Sequence, residues 1–303
     1  MTKQKLSEQV QASVSNNAQK FGNKAANLQE LASVCPYNVP AFCPLSDDLV
    51  KAHLNTYAPN WTHLWNAFQV AQAGERSDLT EEAKQILKSL RELIDNAFND
   101  NPIDDPALIN YLDKIKRQKA TLMVRSTGEE DTVDVANPGG NESIAAVVPE
   151  ITAVSKAMGQ VVASYFSEKS LKQRLLSPKN DITQSAFMPV LVQKMIGEPL
   201  NGFKDEGRII RSGVMYTDEG ITRIQVAPGH GELIVNSKGS FDTFSVTRED
   251  MVYTEITHKS FRLVPTRDGL KLTPNPPKLQ VSSSISQDVA LRIAQLGRKI
   301  EAH

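Results

Sequence analysis

The stretch from Lys119 to Ser143 constrains this chain most. The apolar run Ala-Thr-Leu-Met-Val stops at Arg125, and Ser126, Thr127 and Gly128 lead into a polar loop carrying Glu129, Glu130, Asp131 and Asp134. The loop runs on through Pro138-Gly139-Gly140-Asn141-Glu142-Ser143 and is expected to enter a helix directly. A strand that delivers one cation to a loop able to expose backbone N–H groups suits an oligophosphate. The loop's carboxylates would repel a bare phosphate, so a nucleotide is expected to arrive with Mg²⁺ already bound.

A second cation stands near the start. Phe21-Gly22-Asn23-Lys24 places two residues tolerant of left-handed geometry just ahead of a helical pattern, with Lys24 in its first turn. A lysine there opposes the helix dipole, and an anion docked at the same terminus would compensate it.

The 303 residues suffice for one large domain or two lobes. A formal net charge of −1 gives no electrostatic reason to expect nucleic acid or a membrane surface as partner. Cys35 and Cys43 are too few for a disulfide framework or a zinc site and are expected to be reduced thiols. The opening residues lack an apolar signal core, and no apolar run is long enough to span a bilayer. A cytoplasmic location is expected.

Periodicity predicts helices over 46–57, 61–73, 79–98 and 105–118, after a short edge strand at Val39–Phe42. Ile86, Leu87, Leu90, Leu93, Ile94 and Phe98 are expected in the core, as are Trp61, Trp65 and Phe68. Helices are predicted again near 149–167 and 169–176. Beyond Pro178 the period shortens. The run 187–196 reads as a buried strand, and strands are predicted at 208–217, 221–227, 231–235, 241–246, 251–256, 260–265 and 269–272. A last helix over 285–302 should turn Val289, Ile293, Leu296 and Ile300 inward. Helices first and an antiparallel sheet second imply an α+β protein of two lobes, divided near residues 185 and 186.

Four separated motifs add a resemblance covering residues 20–303. Gly22-Asn23-Lys24-Ala-Ala-Asn-Leu-Gln-Glu-Leu, with Val39–Phe42 after it, resembles the G-G-K-x-A-N-L-x-E-L and V-P-x-F segments of the phosphoenolpyruvate synthase and pyruvate phosphate dikinase family. Val124-Arg125-Ser126 with Pro138–Ser143 is similar to that family's V-R-S strand and glycine loop. Val190–Ile196 and Ser212–Thr217 resemble its V-V-Q-x-M-V hinge and S-G-V-x-F-T strand. Gly229-His230-Gly231-Glu232 and Phe241-Asp242-Thr243 resemble its G-L-G-E and P-D-x-Y elements.

The resemblance implies a two-lobed, ATP-grasp-like fold with ATP as the bound nucleotide. Lys24 and Arg125 would contact the phosphates, as the catalytic cations. Gly139, Gly140 and Ser143 would cover them, Gln193, Lys194, Met195 and Ile196 would read the adenine edge, and Glu232 would lie near the ribose. Three departures stand out. Asn23 replaces a glycine, the segment from Arg125 to Asp131 is one residue shorter than the family pattern, and the sequence stops before the acidic strand that supplies a metal ligand. No metal ligand can therefore be named.

The family's carrier histidine sits in a T-x-H-A setting that none of His53, His63, His230, His258 or His303 shares. The expected function is the ATP-binding part of a dikinase-type phosphotransferase, whose histidine-bearing swivelling domain would be a partner. The competing expectation is a non-catalytic nucleotide-binding or scaffold protein derived from that family. A stand-alone ATP-grasp ligase lacks a second-substrate motif.

Overall fold

The computed structural model describes residues 17–74, 78–128, 141–176, 185–197, 199–202, 208–218 and 220–303. They belong to two compact units, Met1–Met195 and Ile196–His303. The division falls ten residues after the boundary expected near 185, because the strand at 190–194 pairs inside the first unit.

In the first unit, helix α1 (Asn23–Val34) and strand β1 (Phe42–Leu45) precede four helices: α2 (Asp47–Tyr57), α3 (Trp61–Ala71), α4 (Glu81–Asp100) and α5 (Pro106–Arg117). Local chemistry sets where three of these four begin. The side chains of Ser46, Thr80 and Asp105 accept from the N–H groups of Leu49, Ala83 and Leu108, satisfying donors that a helix start otherwise leaves unpaired. Pro106 also occupies the first turn of α5, where a missing N–H costs nothing. Strands β2 (Leu122–Ser126) and β3 (Ser143–Val147), helices α6 (Ile151–Ser164) and α7 (Glu168–Leu176), and strand β4 (Val190–Lys194) complete the unit.

The strands form an antiparallel sheet in the order β1-β4-β2-β3. One face of it packs on the helices. Leu122, Val124, Val190 and Val192 join Leu87, Leu90, Ile94, Phe98, Trp61, Trp65 and Phe68 in one core. Phe68, Phe98 and Phe166 are fully buried, each contributing about 2–3 kcal/mol on removal from water. Strand β3 was not foreseen. Its five residues interrupt what the sequence reads as loop followed by helix.

The second unit is a meander, β5 (Arg211–Asp218), β6 (Ile221–Pro228), β7 (Asp242–Val246) and β8 (Val252–Glu255), with a hairpin of β9 (Phe261–Thr266) and β10 (Gly269–Pro274). Short helices α8 (Glu232–Val235) and α9 (Pro277–Val281) and the long α10 (Gln287–Glu301) supplement it. Residues 232–235 were expected as strand and form a helical turn instead, closed by bonds from Val235 N to Gly231 O and Asn236 N to Glu232 O.

Helix α10 also differs from expectation. Ala290, Ala294 and Gly297 are its buried residues, whereas Val289, Ile293, Leu296 and Ile300 are only half-buried. Small residues let the helix come close to Ile224, Val226, Phe244 and Val246. A Cβ on Gly297 would stand 2.7 Å from the Met215 sulfur.

Candidate functional site

The start of α1 docks on the end of β2, and glycine makes this possible. Gly22 has φ +80°, and a Cβ there would lie 1.1 Å from the Thr127 carbonyl oxygen. With no side chain in the way, Ala25 N donates to Thr127 Oγ1 at 2.8 Å and Asn23 N donates to Gly128 O at 3.4 Å. Lys24 Nζ donates to the Ser126 carbonyl at 3.2 Å. Two amides at the helix start are thus already engaged by the loop after β2. The Ser126 carbonyl dipole offsets part of the Lys24 charge there.

Register decides what accompanies Lys24. Alternate residues of a strand point to opposite faces. Leu122 and Val124 face the helical core, which leaves Met123 and Arg125 on the other face. Arg125 pairs with Ser143 of β3 and with Leu191 of β4, and Met123 pairs with Gln193. Arg125, Ser143 and Gln193 therefore share a face.

The sharing depends on a bulge. Leu122 pairs with Val147 but Val124 with Ile144, so β3 carries one extra residue, and Ala146 takes φ +60° there. Were the same residues paired in unbroken register from Leu122 and Val147, Arg125 would oppose Ile144, and the Ser143 side chain would turn to the core face.

At the Ser126 end of β2 lies a small cavity of about 10 Å³, lined by Ser126, Gly128, Asn141, Tyr165 and Met188 among others. That is room for about one water molecule and not for a nucleotide. At the other end, Lys194 N donates to Ala41 O at 2.8 Å and Met195 N to Thr121 O at 2.9 Å. The sheet therefore uses these two amides. Lys194 Nζ reaches Gln118 Oε1 at 2.7 Å. Between Leu122, opposite Lys194, and Ser126 the strand spans about 13 Å.

The remaining expected residues are elsewhere. Gly139 and Gly140, with the acidic residues 129–134, lie outside the described residues. Ile196 opens the second unit and is exposed. Glu232 is exposed in the first turn of α8 in that unit, 3.5 Å from Asn236 Nδ2. Among the described residues no group of three or more His, Cys, Asp or Glu side chains gathers. His53 is buried between the rings of Tyr57 and Phe98. His63 is exposed, His230 is tied through its amide to Leu263 O, and His258 Nδ1 lies 3.2 Å from Ser260 Oγ.

Lys24, from the start of α1, thus reaches the end of β2 that carries Arg125, whose strand partner is Ser143. The family model described as "Pyruvate phosphate dikinase, AMP/ATP-binding domain" matches residues 18–303. The chain belongs to this family.

Within the dikinase family, curated relatives include the rifampicin phosphotransferases of Bacillus cereus, 25% identical over 294 residues, and of Bacillus subtilis strain 168, 23% identical over 293. A Streptomyces protein of the same name is 22% identical over 292 residues. Each match takes in 93% of this chain and 31% of the relative, so the chain spans about a third of their length. It is a dikinase-family ATP-binding part. No described helix is long and apolar enough to cross a membrane.

Thr127 was not among the residues expected to matter, although it directly follows Val-Arg-Ser and seats α1.

Proposed function

We propose that this chain holds ATP for a dikinase-type phosphotransferase, in which a phosphoryl group passes from ATP to a histidine carried on another domain and then to an acceptor. The observation that carries the reading is the bond from Lys24 Nζ to the Ser126 carbonyl, one residue past Arg125. It brings two cations to the same strand end, with the Ser143 hydroxyl on the Arg125 face.

Lys24, Arg125 and Ser143 would hold the phosphates, together with Gly139 and Gly140. Positioning and neutralisation of charge on the transferred group would be their contribution. The base would lie toward Gln193, Lys194, Met195 and Ile196. An extended ATP is long enough to bridge the intervening strand. Glu232 is assigned to the ribose by the family motif alone.

Magnesium would come with the triphosphate and offset its charge. The relatives' name indicates a phosphotransferase, and acceptor choice is assigned to the two thirds of their length that this chain does not match.

Calorimetric titration tests the reading. MgATP and AMP should bind in preference to GTP. Lys24→Ala and Arg125→Ala should each weaken MgATP by roughly 1.5–3 kcal/mol, the usual cost of a lost charged hydrogen bond, while adenosine binding holds. Equal losses for ATP and adenosine would argue against phosphate roles.

A further inference from the structure

Residues 141 and 142, just before β3, are held by a corner of the helical layer that the nucleotide reading does not use. Ser164 ends α6 and Ser170 lies in α7, and both are buried. Each hydroxyl has its proton direction fixed by its neighbours. Arg174 can only donate. Its Nη2 lies 3.3 Å from Ser170 Oγ, so that oxygen accepts there and sends its own proton to Asn141 Oδ1, at 2.7 Å. Ser164 Oγ donates to the Val161 carbonyl at 2.7 Å, and so accepts from Glu142 N at 2.8 Å.

Arg174 is itself held. Its guanidinium lies 3.7 Å from the centre of the Tyr165 ring and donates to the Tyr165 carbonyl, and its Nε donates to the Ser170 carbonyl. A buried arginine stacked in this way keeps one orientation. Asn141 and Tyr165 also line the cavity at the Ser126 end of β2. The corner is therefore tied to the end of β2, where Lys24 bonds the Ser126 carbonyl.

We propose that Ser164, Ser170 and Arg174 are positioning residues for phosphate binding, acting through Asn141 and Glu142 to keep Ser143 opposite Arg125. This rests on the nucleotide reading. A bulge with a non-glycine residue at positive φ leaves Ser143 and Ile144 as only two paired residues at the end of β3, a short hold on β2. The two hydroxyls supply the second attachment.

The test compares MgATP and adenosine binding in the Ser164→Ala/Ser170→Ala variant and in Asn141→Leu, which removes the acceptor without touching either helix. Hydrogen exchange of the Glu142 amide is followed in the same samples. Both variants should bind MgATP about tenfold more weakly, the equivalent of one or two neutral hydrogen bonds. Adenosine binding should stay within twofold, and Glu142 should exchange faster in the double variant.

Unchanged MgATP binding with faster exchange would overturn the positioning role while leaving the nucleotide reading intact. Parallel loss of ATP and adenosine would reduce the corner to a purely structural one. A wild-type protein that binds no MgATP would overturn the nucleotide reading and this proposal with it.

Discussion

Gly22 and His53 show how much single positions decide in the first unit. At Gly22 a side chain would meet the Thr127 carbonyl, and the backbone is left-handed as well. Gly22→Ala should therefore cost about 3 kcal/mol or more, combining the φ penalty with overpacking against a backbone atom. Urea denaturation measures this directly. The sequence shows Gly22-Asn23-Lys24 as a helix entry, but the partner that makes the glycine obligatory is Thr127, just past a strand end more than a hundred positions on. No local pattern reveals that.

His53 is buried among aromatic rings, and burial holds its pKa below the ordinary value of about 6.5, while the Ala97 carbonyl 3.4 Å away opposes the shift. Below that ordinary value the unfolded chain takes up a proton more readily than the folded one. The contribution is complete above about pH 6.5 and is lost as pH falls toward the lowered folded value. His53→Gln should flatten this part of the stability–pH curve, read from melting temperatures between about pH 7 and pH 5.

At the scale of elements, helices α2 to α5 were legible because apolar spacing and three side-chain caps agree on where they lie. Strand β3 was not, because two alanines and a bulge erase the alternation that marks a half-buried strand. The segment 232–235 reads as strand by composition, yet Gly231 and Glu232 start a helical turn. In α10 the apolar spacing picked the larger residues as the inward ones. Ile293 does pack on that core, but close approach of the helix to the sheet makes Ala290, Ala294 and Gly297 its buried residues.

The second unit also hides an ion pair that spacing cannot reveal. Lys259 Nζ lies 2.6 Å from Asp242 Oδ1 with both side chains fully buried, and Asp242 also accepts from the N–H groups of Thr257 and Ser284. One carboxylate thus ties β7 to the segments before β9 and before α10. Lys259→Met leaves that carboxylate buried without its cation and should destabilise the unit by about 3–5 kcal/mol. Chemical denaturation followed by circular dichroism checks it.

For the molecule as a whole, family membership was readable from four motifs in order, and the α+β class from helices preceding strands. That Lys24 and Arg125 serve one site was expected from the family resemblance alone, and no local pattern carries it. Lys24 reaches the end of β2 through the docking of α1, and Ser143 joins the Arg125 face only through the bulge in β3. The central claim is that these two cations serve one polyphosphate. A double-mutant cycle on MgATP affinity, built from Lys24→Ala, Arg125→Ala and the pair, tests it most directly. Two groups on one ligand should couple by at least about 0.5 kcal/mol, so the double variant departs from the sum of the singles. Additive losses, or no loss from either substitution, would contradict the account.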